Sequence, residues 1–184
     1  MKFTFEPTKI PDVVKVTPQV FGDSRGFFEE LYEEDLFREA GIDVRFVQDN
    51  HSYSRRGVVR GLHWQRPPFC QGKLVSVTVG RVWDVAVDIR KGSPTFGQWV
   101  AEELSGENHA MLWIPAGFAH GFAVLSDEAH FTYKCTARYD HASEANCRWN
   151  DPDLAIDWPI SEGIETSPRD CTAPFFRDIE PIVL

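Results

Sequence analysis

The stretch KLVSVTVGRVWDVAVDIR (73–90) decides the fold class, because small apolar residues recur at every second position along most of its length. In its first half, the residues that share a face with Lys73 are all valines: Val75, Val77 and Val79. The alternation resumes from Val82 to Arg90, where the apolar face consists of Trp83, Val85, Val87 and Ile89. Gly80-Arg81 between the two halves is typical of a tight turn, so the stretch predicts a β-hairpin.

Further strand-like runs follow toward the C-terminus, at 98–104, 111–114, 120–125 and 129–136. Turn-rich pieces such as KGSP (91–94) separate them, and this spacing is typical of a sandwich, a barrel or a jelly roll. We predict one helix at about 33–40, ended by Gly41, and a second short helix near the C-terminus. Because no repeat or linker interrupts the pattern, residues 1–184 are expected to form a single all-β domain with a few short helices.

Composition and charge restrict the class of protein. Hydrophobic residues make up 42% of the chain, and no apolar run approaches the roughly 18 residues that span a bilayer. The N-terminus lacks the apolar stretch of a secretory signal, so we expect a cytoplasmic location. The net charge of −9 argues against nucleic-acid binding, which usually requires a basic face. Free thiols are expected for Cys70, Cys135, Cys147 and Cys171, each with a buried packing role and not a redox or metal role.

The segment GVVRGLHWQ (57–65) carries the first candidate site residues. Arg60 and His63 flank a glycine in an otherwise apolar strand. A bulge at Gly61 would let both polar side chains reach one cavity despite their opposite parity. For His63 alone, a core histidine bonded to a backbone carbonyl is the commoner situation, with Arg60 on the surface.

Four other polar residues stand where a strand or loop could present them to the same cavity. Lys73 shares a valine face, where an ammonium group could stabilise an oxyanion or simply extend to solvent at the strand end. His120 enters an apolar strand between two small residues, and Tyr133 lies within a strand. Asp170 follows Pro168 in a loop, where an aspartate is most often a turn or cap residue.

A metal site is the main alternative for these residues, since His63, His120 and Asp170 are suitable ligand types for a facial triad. The pattern lacks the paired histidines expected of such a site, because position 65 is glutamine. Lys73 would also repel a cation. We therefore treat the metal site as a minority hypothesis.

Six stretches form a collinear series of motifs: FGDSRGFFEE (21–30), FVQDNHS (46–52), GVVRGLHWQ (57–65), QGKLVSVTVGRVWDVAVDIRKGSPTFGQWV (71–100), LWIPAGFAHGF (112–122) and WNDPDLAIDWP (149–159). Together these stretches resemble the dTDP-4-dehydrorhamnose 3,5-epimerase family. The resemblance implies a cupin-type jelly roll, that is an antiparallel β-sandwich. It also implies a homodimer with neither a metal nor an organic cofactor.

The same resemblance implies roles for individual residues. His63 would be the general base and Asp170 its partner, Lys73 would stabilise an enolate, and Tyr133 would be the acid on the opposite face of the sugar. Arg60 and His120 would line the sugar and phosphate region. Nucleotide binding, shared with the partner subunit, would fall to Arg25, Glu30, Gln48, Asn50, Tyr139, Glu144 and Arg169. Phe21 and Phe28 are residue types that could stack on thymine.

The implied reaction is epimerisation of dTDP-4-dehydro-6-deoxy-D-glucose at C3 and C5, beside its 4-keto group. A histidine suits the base, because its unperturbed pKa of roughly 6.5 lies near working pH. Trp64 and Arg138 depart from the usual pattern of the family, which leaves a single-site 3- or 5-epimerase as an alternative. A non-catalytic nucleotide-sugar binder and a metal-dependent cupin remain minority alternatives.

Overall fold

The computed structural model describes residues 2–184, which form thirteen β-strands and two short α-helices. The strands are β1 (Phe3–Pro7), β2 (Val14–Pro18), β3 (Val20–Asp23), β4 (Gly26–Glu29), β5 (Gln48–Arg55), β6 (Val59–Gln65), β7 (Lys73–Val79), β8 (Arg81–Asp88), β9 (Trp99–Ser105), β10 (Met111–Ile114), β11 (Phe118–Val124), β12 (Glu128–Cys135) and β13 (Glu144–Asn146). The helices are α1 (Glu34–Glu39) and α2 (Pro168–Cys171). None of the helices in the described part of the chain is long and apolar enough to cross a membrane.

Two antiparallel sheets form the body of the molecule. The first has the strand order β1-β2-β10-β7-β12-β5, and the second has the order β13-β6-β11-β8-β9. A separate two-stranded ribbon, the β3–β4 hairpin, pairs only within itself. The predicted all-β fold with a few short helices is therefore confirmed.

The predicted hairpin within 73–90 is wrong, although its two alternating strands are present. β7 pairs with β10 and β12 in the first sheet, whereas β8 pairs with β11 and β9 in the second. At Gly80 the chain passes from one sheet to the other, with φ +82. A Cβ there would lie 1.9 Å from the carbonyl oxygen of Glu128, so the crossing requires glycine. Alternation reports that a strand has two faces, but it does not report which strand lies beside it.

Both faces of β8 are largely buried, so polar side chains on this strand are enclosed within the molecule. Val82 and Ala86 pack between the sheets against Val75 and Val77 of β7. The other face, formed by Val85, Val87 and Ile89, is covered by residues of the C-terminal segment such as Leu154 and Ile182. The second sheet is therefore a central layer, and polar residues on its inner face are enclosed.

Both predicted helices are present. Helix α1 begins after Glu33, whose carboxylate caps the amides of Asp35 and Leu36, and it ends before Gly41. Its buried Phe37 packs on the outer face of the first sheet against Phe3. Helix α2 is a single turn capped by the Ser167 hydroxyl. It carries Asp170 toward β6, as the contacts described below show.

Candidate active site

His63 and Asp170 form a hydrogen-bonded pair at the centre of the candidate site, in which His63 is partly exposed and Asp170 is buried. Nε2 of His63, on β6, lies 2.6 Å from Oδ1 of Asp170, whose side chain is 2% exposed. Burial by itself would raise the pKa of Asp170. The hydrogen bond and charge of His63, together with donors that include the backbone amide of Gly61, lower it instead. A carboxylate held ionised in this way orients the imidazole and leaves Nδ1 as the nitrogen that can accept a proton.

A bulge at Gly61 sets the direction of His63, as the sequence predicted. The register between β6 and β11 shifts between the pairs that involve His120 and Phe122. Gly61 has φ +133, and a Cβ at this position would lie 2.6 Å from Cα of Gly121. The two strands can approach so closely only because both residues are glycines.

Arg60, before the bulge, is held toward β5. Its guanidinium donates hydrogen bonds to the Ser54 hydroxyl at 3.0 Å and to the carbonyl oxygen of Tyr53 at 3.2 Å. The charge of Arg60 acts to lower the pKa of Tyr133, so the cation lies within electrostatic range of the site. Much of Arg60 is nevertheless exposed.

His120 stands directly across from His63 in the pairing of β11 with β6. Its Nε2 lies 2.9 and 3.1 Å from the two carboxylate oxygens of Asp84, a fully buried residue on β8. Burial lowers the pKa of His120 and raises that of Asp84. Each of the two candidate histidines therefore has its own carboxylate, an arrangement that differs from the convergent triad of the metal hypothesis.

Lys73 and Tyr133 enter the same space from the opposite sheet. Tyr133, on β12, pairs with Val75, and its neighbour on the same face, Cys135, pairs with Lys73. Burial lowers the pKa of Lys73 and raises the pKa of Tyr133. The phenol is therefore kept protonated at neutral pH, ready to donate.

A cavity of about 280 Å³ lies between the two groups. It is lined from both sheets and from the loop after β12, by Gln48, Asn50, His63, Trp64, Gln65, Gln71, Lys73, Tyr133, Tyr139 and Glu144. The imidazole of His63 on one sheet thus faces the phenol of Tyr133 and the amine of Lys73 on the other, across a space of small-molecule size.

The candidate nucleotide residues of this chain form a hydrogen-bonded chain at the rim of the cavity. Gln48 donates to Asn50 and accepts from the amide of Tyr139, at 3.0 and 2.9 Å. The Tyr139 hydroxyl donates to Glu144 at 3.1 Å, and Arg169 forms an ion pair with the same carboxylate. The ring of Tyr139 is 53% exposed, so one face is free for stacking.

Six candidates do not line this cavity: Arg60, His120, Asp170 and Arg169, whose contacts are given above, and Arg25 and Glu30. Arg25 lies at the tip of the β3–β4 hairpin, where it pairs with Asp23 and its side chain is 88% exposed. Glu30, just after the hairpin, pairs with Lys2 at 2.9 Å. Their place in a nucleotide site therefore stays a prediction.

Sequence reasoning missed Asp84, Gln65 and Gln71. Asp84 shares a strand face with Val82 and Ala86, and a carboxylate between two small apolar residues was the available signal. Gln65 and Gln71 fix the loop after β12, since their amides donate to the carbonyl oxygens of Arg138 and Ala137.

Comparison with known proteins assigns this arrangement to a family. The profile described as dTDP-4-dehydrorhamnose 3,5-epimerase matches residues 7–178. The chain is 56% identical to the enzyme of that name from Salmonella typhimurium over 168 residues, which cover 91% of this chain and 92% of the relative. Over 172 residues it is also 56% identical to the Pseudomonas aeruginosa enzyme, covering 93% and 94% of the two chains.

A solved structure agrees. The dTDP-6-deoxy-D-glucose-3,5-epimerase of Legionella pneumophila, in complex with dTDP-4-keto-L-rhamnose, is 52% identical to this chain and superposes with a TM-score of 0.94. The match covers 97% of this chain and 95% of that one. The chain belongs to the dTDP-4-dehydrorhamnose 3,5-epimerase family. The resemblance stated from the sequence motifs, the predicted jelly-roll fold and the assignment to the isomerases are thereby confirmed.

The two departures from the usual epimerase pattern have different surroundings. Trp64 borders the cavity, but its side chain is 7% exposed and packs in the outer cluster with Leu62 and Ala145. It therefore supports the strand behind His63. Arg138 is exposed beside Tyr139, at the rim where the nucleotide candidates meet.

All four cysteines of this epimerase are free thiols, as expected, but not all of them are buried. Cys135 and Cys147 are buried, Cys70 is partly buried, and Cys171 is exposed. The expectation of a buried packing role is wrong for Cys171, because it lies on the outward side of the single-turn helix α2, next to the buried Asp170.

Proposed function

We propose that this chain epimerises dTDP-4-dehydro-6-deoxy-D-glucose at C3 and C5 to give dTDP-4-dehydro-L-rhamnose, a step of dTDP-L-rhamnose biosynthesis. The observation that carries the proposal is the placement of the His63–Asp170 pair on one sheet, with Lys73 and Tyr133 facing it from the other. The family membership and the product bound by the Legionella relative support the choice of substrate. The family match over 7–178 supports one functional domain spanning 1–184.

The first step is removal of the proton on the carbon beside the 4-keto group. His63 accepts it at Nδ1, because Nε2 is committed to Asp170 at 2.6 Å. Electrons of the broken C–H bond move into the carbonyl group and produce an enolate. Lys73, a cation in a partly enclosed site, stabilises the negative oxygen, which makes a weakly acidic proton removable.

The second step returns a proton from the other face of the sugar, which inverts the carbon. Tyr133 lies on the sheet opposite His63, and burial keeps its phenol protonated by raising its pKa. Donation from Tyr133 collapses the enolate to the ketone. Before the second carbon reacts, His63 releases its proton to solvent and Tyr133 regains one from solvent, and the sugar presents that carbon to the same pair of residues.

The nucleotide end of the substrate is held at the rim of the cavity. Arg60 and Arg169 supply charge-assisted donors for the sugar and the diphosphate, and His120 lines the same region. Tyr139 offers an exposed ring to thymine, and the amides of Gln48 and Asn50 can bond the edge of the base. Neither a metal ion nor an organic cofactor enters this scheme.

A homodimer completes the nucleotide site in this proposal. The β3–β4 hairpin leaves Phe21, Phe27 and Phe28 51, 61 and 63% exposed, an unusual display of aromatic surface. β5, which carries Gln48 and Asn50, is the edge strand of its sheet. A hairpin from the partner subunit lying near this edge would bring in the partner's Arg25 and the partner's Glu30. The four free thiols also fit a reducing, cytoplasmic location.

Proton NMR in deuterated water, with dTDP-4-dehydro-6-deoxy-glucose and no added metal, tests the proposal. Deuterium at both C3 and C5 with an L-configured product supports the double epimerase. Label at one carbon would replace it by the single-site alternative and direct attention to Trp64 and Arg138. Binding without label would favour the non-catalytic binder, and activity that depends on a tightly bound metal would favour the metal-dependent cupin.

A further inference from the structure

Asp84 is a fully buried carboxylate that takes no part in the reaction steps proposed above. It lies on the inner face of β8, between Val82 and Ala86, and its exposed fraction is 0%. Both of its oxygens are within 3.1 Å of Nε2 of His120. A carboxylate in such surroundings is costly unless cations balance it.

Two basic residues act on this carboxylate. Burial raises the pKa of Asp84, and His120 and Lys73 both act to lower it. Lys73 is the residue that the reaction requires in its charged form. The acidic groups that act on Lys73 come from three further strands: Cys135 on β12, Asp84 on β8 and Glu144 on β13.

We propose that Asp84 is a positioning residue for the epimerisation: its carboxylate holds His120 by hydrogen bonding and supplies the buried negative charge that keeps Lys73 cationic opposite the sugar. This inference rests on the function proposed above. Asp84 would act before the enolate forms, by keeping Lys73 charged and His120 in place. Asp84 reaches the reaction through Lys73 and His120, and it needs no contact with the substrate.

Charge balance explains why a carboxylate is placed here. Lys73 is enclosed, and burial favours its neutral form. The negative charges of Asp84 and Glu144 raise the pKa of Lys73 and so oppose the effect of burial. The positive charges of Lys73 and His63 lower the pKa of His120, and a charge on His120 would likewise disfavour the charged form of Lys73. Removal of the Asp84 charge therefore leaves Lys73 with less compensation, so it releases its proton at a lower pH. The enolate then loses its cation in the alkaline part of the working range.

Asp84→Asn tests this without a large change in volume, and Asp88→Asn is its matched control. Asp88 is also 0% exposed and lies on the same face of β8, but its partners are Arg90, Ser93 and Thr95, away from the cavity. The pH dependence of kcat is measured for both variants and the wild type. We expect the alkaline limb of Asp84→Asn to move to lower pH by about one unit or more, whereas that of Asp88→Asn stays in place. An unmoved alkaline limb in Asp84→Asn would overturn the inference.

A double-mutant cycle with Lys73→Met covers the case in which Asp84→Asn folds poorly. The melting temperatures of Lys73→Met and of the double variant are compared with those of the wild type and Asp84→Asn. If the two charges compensate each other, Asp84→Asn lowers the melting temperature less in the Lys73→Met background than in the wild type. An equal effect in both backgrounds, including failure to fold in both, would overturn the inference. Solvent deuterium exchange by the wild type separates this outcome from failure of the proposed function, since only the latter abolishes exchange there.

Discussion

His63 and Asp170 are separated by 107 positions in the chain, yet Nε2 of the one lies 2.6 Å from Oδ1 of the other. The contact exists because the single-turn helix α2 is brought against β6, where the Gly61 amide also bonds the carboxylate. Asp170 thereby occupies Nε2 of His63 and leaves Nδ1 as the ring nitrogen that can accept a proton.

Asp170→Asn is expected to retain the fold and to lower kcat by about 10²–10⁴-fold, because an amide can stabilise the wrong tautomer of the base. Solvent deuterium exchange should fall in parallel, since proton removal is the step affected. Exposed Asp153 provides the control, and Asp153→Asn should behave as the wild type. Wild-type exchange in Asp170→Asn would remove the residue from the mechanism.

Tyr133→Phe is expected to separate the two proton transfers. His63 can still remove a proton, so deuterium should wash into recovered substrate, while formation of the inverted product falls by about 10²-fold or more. NMR of both substrate and product from one reaction measures this ratio. Tyr53→Phe, on the same sheet but half exposed and away from the cavity, is the control. Equal loss of exchange and inversion would argue that Tyr133 is not the acid.

Lys73→Met is expected to lower kcat by about 10²–10³-fold, the usual effect of removing one oxyanion-stabilising group, with a smaller change in KM. The methionine preserves the length and burial of the side chain, so the fold should remain. Lys91→Met, in the exposed turn after β8, is the matched removal of a positive charge. A change confined to KM would indicate that Lys73 binds the ground state of the sugar instead.

The sequence predicts where individual strands lie, and that His63, Lys73 and Tyr133 meet at one cavity, but it does not predict which strands are neighbours. The run 111–114 coincides with β10, and Arg60, His63 and Gly61 disclose a bulge, because periodicity and glycine report local backbone requirements. The predicted pairing of β7 with β8 is wrong, because the two strands lie in different sheets. The same alternation of apolar residues is expected for two strands in facing sheets and for two neighbouring strands of one sheet. Asp84 was missed for a related reason. Its partner His120 lies 36 positions away in the chain, and the two residues meet only because β11 pairs with β8 in the second sheet.

Phe28→Ser in the β3–β4 hairpin is expected to weaken dimerisation and raise KM while kcat at saturation changes little. Phe28 is 63% exposed, so the substitution removes apolar surface that a partner would cover without opening the core of its own subunit. Sedimentation at several protein concentrations measures the oligomer, and the same samples give KM. Phe96→Ser, in an exposed turn elsewhere, should leave both unchanged. A dimer of wild-type affinity in Phe28→Ser would exclude the hairpin from the interface.

Asp88→Asn is expected to lower the free energy of unfolding in a pH-dependent way. Although burial opposes ionisation, hydrogen bonds from Arg90, Ser93 and Thr95 lower the pKa of Asp88 to about 2. A carboxyl group with a depressed folded-state pKa stabilises the protein above its unfolded pKa of about 4, and that contribution disappears as pH falls through about 2. The contribution at neutral pH is on the order of 2 kcal/mol. Urea denaturation of wild type and variant at neutral pH and near pH 3 measures it, and the gap between them should narrow on acidification. If the difference in the free energy of unfolding between wild type and variant did not depend on pH, the variant would be destabilised by poorer packing, because packing does not depend on protonation.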